Sequence, residues 1–145
     1  MKLDDIDLKI LKLIQGDAKL SVKAIAEKVF FSAPTVASRI AAMTEKGIIK
    51  GYYTDIDLSV VEDYIKAYID MEVAPSAKEG LYEYLRSCPQ VLECSHVTGE
   101  YSLLIKGVFK NTGDMDKLIN ELQRYGRTKT QIVFSTIIDR RGMLI

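Results

Sequence analysis

Apolar residues in the first 50 positions recur at intervals of three and four, the spacing that places them on one face of an α-helix. Three segments show this spacing, and each follows a residue whose side chain caps helices well: Asp4, Ser21 or Ser32. The apolar stripes are Ile6, Ile10, Leu13 and Ile14, then Ile25 and Val29, then Val36, Ile40 and Met43. The pattern predicts three helices, of which the second and third form a helix-turn-helix.

The third helix has clear end signals. Pro34 lies in its first turn, where the missing amide hydrogen costs little, and Gly47 follows its last turn, where glycine adopts a left-handed conformation without strain. Ile48 and Ile49 then open a segment that reaches Ile56 and that we predict to be a strand.

The second half changes to alternation of period two, which is typical of half-exposed strands. It predicts strands at residues 64–73, 91–97, 101–109 and 128–138 and helices at 77–87 and 114–125, with a turn at 98–100. The order βαββαβ is that of a ferredoxin-like sheet with both helices on one side. We therefore predict an α+β chain: a winged-type helix-turn-helix domain of three helices (1–50), a strand-containing linker (51–62) and a ferredoxin-like domain (63–145).

Charge indicates what the helix-turn-helix binds. Residues 19–50 carry six Lys or Arg against two Glu, a net charge of +4, although the whole chain is neutral. A basic patch on a neutral chain supplies attraction to phosphate, so double-stranded DNA is the predicted partner. The predicted DNA-binding residues are Ser21, Ser32, Ala33, Thr35, Ser38, Arg39, Ala42 and Lys46.

Within this set we expect Arg39 to contact bases, assisted by Ser38 and Thr35, because these residues lie on the outward face of the third helix. Ser32 and Lys46 are expected on phosphate. The alternative for Arg39 is a surface salt bridge, for instance to Glu27.

Other classes of protein fit the chain poorly. No apolar run is long enough for a membrane helix and the first residues are no signal peptide, so we expect a cytoplasmic protein without a membrane partner. Cys88, Cys94 and His96 are too few for a disulfide framework or a zinc site, and no catalytic constellation is recognisable. We expect no metal, no cofactor and no enzymatic activity.

A ferredoxin-like sheet with both helices on one side leaves its other face uncovered. Because we expect alternate apolar residues on that face, its simplest partner is a second copy of the chain. The sequence therefore predicts a homodimer that pairs the C-terminal sheets.

The chain resembles the Lrp/AsnC family of bacterial and archaeal regulators, from end to end. The resemblance lies in residues 3–11 (LDDIDLKIL), 32–40 (SAPTVASRI), 45–49 (EKGII) and 97–101 (VTGEY), and in the threonines at 128 and 130. It implies transcription activators or repressors that assemble as dimers and as rings of dimers, such as an octamer. It also implies a small effector, an amino acid or similar metabolite, bound between dimers near the turn at 98–102. The effector residues it implies are Thr98, Gly99, Glu100, Tyr101, Ser102 and Thr130.

Two departures from the family pattern leave alternatives open. The third helix has Ala41 and Ala42 where the family commonly has basic or polar residues, which lowers the expected DNA affinity. The family's Gly-x-x-Asp turn ends here in Ser102, so either Glu100 replaces the Asp, or the ligand differs, or there is none. In that last case Gly99 merely serves the turn.

The function predicted is a sequence-specific DNA-binding transcriptional regulator of amino-acid or related metabolism, modulated by a small effector bound between dimers. Two other functions stay open. One is a DNA-architectural protein without an effector, which the short side chains of the third helix would suit. The other is a metabolite-sensing module whose N-terminal helices dock a protein instead of DNA.

Overall fold

A computed structural model describes residues 2–57, 60 and 63–138. The described chain divides into two compact units, one formed by residues 2–55 together with 138 and one by residues 56–137. Part of the predicted linker (58–59 and 61–62) and the end of the predicted second domain (139–145) lie outside the described residues.

The N-terminal unit consists of the three predicted helices: α1 (Asp5–Gly16), α2 (Val22–Val29) and α3 (Ala33–Glu45). Their predicted caps are confirmed. Asp4 accepts hydrogen bonds from two amides of the first turn, Ser21 accepts one from Ala24 and Ser32 one from Thr35. Gly47 has φ +69°, the left-handed conformation expected where α3 ends. The buried apolar core comprises Ile10, Leu11, Ile25, Ala26, Val29, Val36, Met43 and Ile49.

The strand predicted from Ile48 to Ile56 is wrong: the structure has no strand between residues 48 and 57. Ile49 is buried in the core of the helical unit, and residues 50–57 are exposed. A strand needs a partner to satisfy its backbone amides and carbonyls, and the apolar residue that suggested one here serves the helical core instead.

The second unit is the predicted ferredoxin-like βαββαβ domain. Its elements are β1 (Ile65–Val73), α4 (Lys78–Ser87) preceded by a short 3₁₀ turn, β2 (Val91–His96), β3 (Leu103–Phe109), α5 (Thr112–Gln123) and β4 (Gly126–Ile132). The sheet has the order β2-β3-β1-β4 and every neighbouring pair is antiparallel. The last strand is shorter than predicted and ends at Ile132 instead of residue 138.

Both helices cover one face of this sheet, as predicted. The core between them is built from Ala67, Ile69, Met71 and Val73 of β1, Leu103, Ile105 and Phe109 of β3, Leu81 and Leu85 of α4, and Met115, Leu118 and Leu122 of α5.

The uncovered face of the sheet differs from expectation. We expected alternate apolar residues there, but the apolar set of β1 faces the helices, so the alternate residues on the open face are Lys66, Tyr68, Asp70 and Glu72. Alternation can give β1 only one apolar face, and the helices take it. Gln131 of β4 donates a hydrogen bond to Asp70 across this face, at 2.8 Å. Leu104 and Val108 of β3 also lie on the open face, so this face is polar along β1 and mixed as a whole.

The pairing of β1 with β4 depends on a glycine. Gly126 lies opposite Val73, and a Cβ at this position would meet the carbonyl oxygen of Glu72 and approach the Val73 Cα at 3.3 Å. We expect Gly126→Ala to lower the free energy of unfolding by about 1–3 kcal/mol, because the obstructing atoms belong to the backbone ladder. Unfolding in urea followed by far-UV circular dichroism measures this.

The matched control is Gly16→Ala at the end of α1, where an added Cβ meets nothing within 4 Å. There the methyl group should leave stability unchanged or raise it by about 0.5–1 kcal/mol, because alanine favours helix more than glycine does. Equal losses in the two variants would contradict the close approach at Gly126.

Candidate nucleic-acid interface and effector loop

The outward face of α3 is set by the residues that α3 buries. Val36 and Met43 have no exposed surface and fasten the helix to the core of its unit. The positions of α3 that remain exposed between residues 34 and 41 are Pro34, Thr35, Ala37, Ser38 and Ala41. Because these side chains are short, the backbone of α3 can closely approach the floor of a groove in a nucleic acid. The hydroxyl groups of Thr35 and Ser38 are the hydrogen-bonding side-chain groups on this face.

The other predicted DNA-binding residues have mixed surroundings. Ser21 is exposed at the start of α2, and Lys46 is exposed at the end of α3. Ala33 and Ala42 are half-buried. The hydroxyl of Ser32 lies 2.7 Å from that of Thr35 and also caps the amide of Thr35, so these two side chains are fixed together.

Arg39 does not point freely outward as expected. Its Nη1 donates to Oδ2 of Asp4 and to Oδ1 of Asp7, both at 2.7 Å. The side chain of Arg39 is 28% exposed and that of Asp7 only 2%. The alternative prediction, a salt bridge, describes this geometry better, although the partners are the two aspartates and not Glu27. Helical periodicity assigned Arg39 to a face, but it could not show that the N-terminus of α1 lies beside that face.

The hydrogen bonds of this cluster also shift its acid–base equilibria. The pKa of Asp4 is lowered below its usual 3.8, first by the hydrogen bond from the Asp7 amide and then by the Arg39 guanidinium. The pKa of Arg39 is raised, first by the Asp4 carboxylate and then by that of Asp7. Both shifts favour the charged forms, so the ion pair is intact at neutral pH.

The connection between β2 and β3 is a six-residue loop, 97–102, and not the three-residue turn predicted at 98–100. The Val97 amide donates to the Ser102 carbonyl at 3.0 Å, and the Ser102 amide donates to the Met71 carbonyl at 3.1 Å. Gly99 has φ +119°, a conformation that side-chain-bearing residues rarely adopt, so the glycine is required here. The loop is thereby anchored on β1.

Arg127 joins the loop to the sheet, and sequence analysis missed it. Its Nη2 lies 2.6 Å from Oε1 of Glu100 and 3.2 Å from Oε2 of Glu72, and its guanidinium carbon lies 5.3 Å from the centre of the Tyr101 ring. The pKa of Arg127 is raised, chiefly by the Glu100 carboxylate. The β1–β4 register places Arg127 opposite Glu72. No local sequence signal encodes that register.

The remaining predicted effector residues are not all on one side of the sheet. Thr130 lies opposite Ile69, on the helix-covered face, whereas Arg127 and Glu72 project to the other face. Thr98 is exposed in the loop. The hydroxyl of Ser102 is buried, and it has no hydrogen-bond partner among the described residues.

The part of the chain that the structure describes contains no cluster of three or more His, Cys, Asp or Glu side chains that could hold a metal ion. His96 instead shares a hydrogen bond of 2.8 Å between its Nε2 and the Tyr82 hydroxyl. None of the described helices has the length and apolar character needed to cross a membrane.

Comparison with known families assigns both units. Residues 3–50 match the winged helix-turn-helix DNA-binding family, and residues 66–143 match the Lrp/AsnC ligand binding domain. The chain is therefore a DNA-binding transcriptional regulator with a separate ligand-binding domain. It belongs to the Lrp/AsnC family, as the sequence motifs indicated, and this family consists of regulators and not enzymes.

Individual relatives cover the whole chain. It is 30% identical to the transcriptional regulator Ptr1 of Methanocaldococcus jannaschii, with 99% of each chain aligned. It is 27% identical to LrpC of Bacillus subtilis, over 98% of this chain and 99% of that one. The solved structure of LrpC superposes with a TM-score of 0.87 over 97% of this chain and all of that one. The structure of E. coli AsnC, 25% identical, gives 0.82 over 97% of each.

The depressed pKa of Asp4 makes the stability of the helical unit depend on pH. A carboxylate whose pKa is lower in the folded state than its usual 3.8 contributes stability that is fully present above that value and is lost as the pH falls through the folded value. We expect Asp4→Asn to lower the melting temperature at pH 7 and to flatten its decline on acidification. Asparagine still caps the helix with its one acceptor oxygen, so the change removes the charge and the hydrogen bond that Arg39 donates to Asp4 Oδ2.

Melting followed by circular dichroism between about pH 6 and pH 2 measures this difference. Asp5→Asn is the control, because Asp5 is an exposed aspartate of the same helical turn. Parallel melting curves for Asp4→Asn and Asp5→Asn would contradict the assigned ion pair.

Proposed function

We propose that this protein is a sequence-specific transcription regulator in which α3 enters the major groove and the loop 97–102 forms part of an effector site. One observation carries the proposal: α3 exposes a narrow face of short side chains within a segment of net charge +4, on a chain that is otherwise acidic enough to be neutral overall. The phosphate attraction is thus concentrated at the element whose shape suits the groove.

Within this interface we assign base contacts to Ser38 and Thr35, which are exposed near the N-terminus of α3. In helix-turn-helix proteins this end of the recognition helix contacts base edges. We assign contacts with the sugar-phosphate backbone of the DNA to the remaining predicted residues: Ser21, Ser32, Ala33, Ala42 and Lys46. We assign Arg39 to holding α3 against α1, because a base contact would cost it its bonds to two aspartates.

We propose the domain limits 1–50 for DNA binding, 51–62 for the linker and 63–145 for the ligand-binding and oligomerisation domain. A homodimer through the open sheet face is the assembly we propose, with a ring of dimers, an octamer, above it. The open face is mixed: half-buried Tyr68, Leu104 and Val108 lie among charged residues. An isologous contact can pair such a face with itself. Two recognition helices about 34 Å apart would then require a roughly palindromic operator.

The effector we propose is an amino acid. Its carboxylate suits the Arg127 guanidinium and its ammonium group suits Glu100 or Glu72, the two carboxylates that Arg127 already holds together. Glu100 would in this way supply the charge that the Ser102 position lacks. The buried Ser102 hydroxyl, which has no partner among the described residues, provides a further group for a ligand to satisfy.

Such a ligand regulates only by binding one assembly state more tightly than another. At a site between dimers it would shift the balance between dimers and rings, and with it the spacing of recognition helices along DNA. The target genes are then those of amino-acid or related metabolism.

A DNA-architectural role is the second candidate, and the geometry of α3 favours it specifically. Arg39 is held by two aspartates, and positions 37 and 41 of the exposed face are alanines. Few side chains on this face can therefore distinguish bases. The ratio of affinities for selected and random duplexes separates the two functions, since an architectural protein binds both about equally.

A negative charge on the exposed face of α3 should repel DNA. We expect Ser38→Asp to weaken binding at least about tenfold, since like charges juxtaposed in an interface cost several kcal/mol. The helix should stay folded because Ser38 is exposed. Fluorescence anisotropy with a labelled duplex, across a salt series, measures the change.

The matched control is Ser76→Asp, the same change at an exposed serine in the other unit. It adds the same charge to the chain, so it corrects for the change in net charge. If both variants bind DNA as the parent does, α3 is not the DNA-binding element. If the parent itself binds no duplex at low salt, the chain is not a DNA-binding regulator.

The effector assignment predicts that at least one of the common amino acids raises the melting temperature, because a ligand that binds only the folded state stabilises it. Arg127→Met should abolish this stabilisation by removing the cation that holds the carboxylate. Arg86→Met is the control, because Arg86 is exposed on α4, away from the open face of the sheet, and loses the same kind of side chain.

A thermal-shift screen measures the stabilisation, and sedimentation velocity with and without the stabilising amino acid measures the shift in assembly. Stabilisation that survives in Arg127→Met would place the ligand elsewhere. A parent protein that none of the amino acids stabilises would favour the architectural role.

A further inference from the structure

The turn between α2 and α3 contains a strained and exposed aromatic residue. Phe30 has φ 61° and ψ 43°, the left-handed helical conformation, and it is the one residue other than glycine with a positive φ among those that the structure describes. The residue as a whole is 92% exposed. A bulky residue in this region of backbone space is an outlier.

The way α2 ends imposes this conformation. The amides of Phe30 and Phe31 both donate to the Ala26 carbonyl, which closes the last turn of α2 and redirects the chain toward the cap of α3 at Ser32. Such an ending normally uses glycine, which adopts the left-handed conformation freely. Gly47 does so after α3, with φ +69°.

Phenylalanine at this position therefore carries a cost that glycine would avoid, the strain of the left-handed backbone. The free protein gains almost no buried apolar area from the ring in return, because Phe30 is 92% exposed. A strained residue at a surface is evidence that its side chain serves a contact outside the chain.

The position of the ring identifies what it contacts. Phe30 lies two residues before Ser32, so it borders the N-terminal end of α3, which we propose inserts into the groove. Lys28 is exposed two residues before Phe30, and Lys23 and Glu27 are exposed earlier on α2. The segment 19–50 that holds them has a net charge of +4, which fits DNA better than it fits an apolar protein surface.

We propose that the Phe30 ring is an apolar contact to DNA at the edge of the major groove, made either to the 5-methyl group of a thymine or to a deoxyribose ring. Aromatic side chains make the former contact in other complexes. This inference rests on the proposed DNA-binding function. It adds a DNA contact in the turn, outside the hydroxyl-bearing face of α3.

The experiment compares the full-length parent with Phe30→Gly and Phe30→Leu. The probe is a duplex recovered by the parent from a pool of random sequences, and a duplex of unrelated sequence serves as reference. We expect Phe30→Gly to melt about 2–4 °C higher than the parent, because the strain is relieved. It should bind the selected duplex about tenfold more weakly, because the apolar contact is lost.

Phe30→Leu is the matched control. It keeps an apolar side chain in the strained conformation, so it should retain most of the affinity without the gain in melting temperature. A duplex with deoxyuridine in place of thymidine distinguishes the two sources of the contact. Loss of affinity by the parent, but not by Phe30→Gly, assigns the thymine methyl group; equal binding of the two duplexes assigns the sugar.

Failure of the inference and failure of the proposed function are separable. If the parent recovers no duplex, the function itself is wrong. If the parent binds and Phe30→Gly binds equally well, Phe30 makes no DNA contact. If Phe30→Gly changes the assembly state in sedimentation while DNA affinity per assembly is unchanged, the ring contacts a second copy of the chain, and the inference is overturned.

Discussion

The helical unit depends on how two aspartates at the start of α1 hold one arginine of α3. Asp4 Oδ1 accepts from the amides of Ile6 and Asp7, and Asp7 Oδ2 accepts from the amide of Asp4. The two remaining carboxylate oxygens accept from Arg39. All four oxygens are therefore satisfied, which is the condition under which a carboxylate as buried as that of Asp7 is tolerated. The capping box of one helix thereby becomes the docking point of another.

This arrangement explains where sequence reasoning succeeded and where it did not. Helix spans, caps and the βαββαβ order follow from local periodicity and from residues such as Ser21, Ser32 and Gly47, whose preferences act within one turn. The two partners of Arg39, Asp7 and Asp4, lie 32 and 35 positions away along the chain. Helical periodicity carries no information over that distance. The role of Arg39 is therefore set by tertiary neighbours, Asp4 and Asp7, that local sequence does not specify.

The effector loop shows the same limit in the sheet. Gly99 was predictable because a glycine between two strands indicates a turn, and its φ of +119° is one that favours glycine. Arg127 was not, because only the register of β1 against β4 brings it opposite Glu72 and beside Glu100. Register also places Thr130 on the opposite face from Arg127, since consecutive strand residues alternate sides. Motif resemblance identified the neighbourhood, and strand pairing determined which charged groups meet there.

The short side chains of α3 finally explain why the regulator should be an oligomer. One good base contact discriminates against the wrong base by about 1–3 kcal/mol, whereas specific binding exceeds non-specific binding by about 4–10 kcal/mol. With Arg39 bound to aspartates, Thr35 and Ser38 are the exposed hydroxyl groups of the first turns of α3. Hydroxyls make single hydrogen bonds and not bidentate ones, so one copy of α3 falls short of that range. Two copies held at a fixed spacing contribute twice the discrimination and also select the distance between half-sites. In the dimeric assembly we propose, sequence selectivity would therefore depend on assembly, and a ligand that altered the assembly would alter which sites are bound.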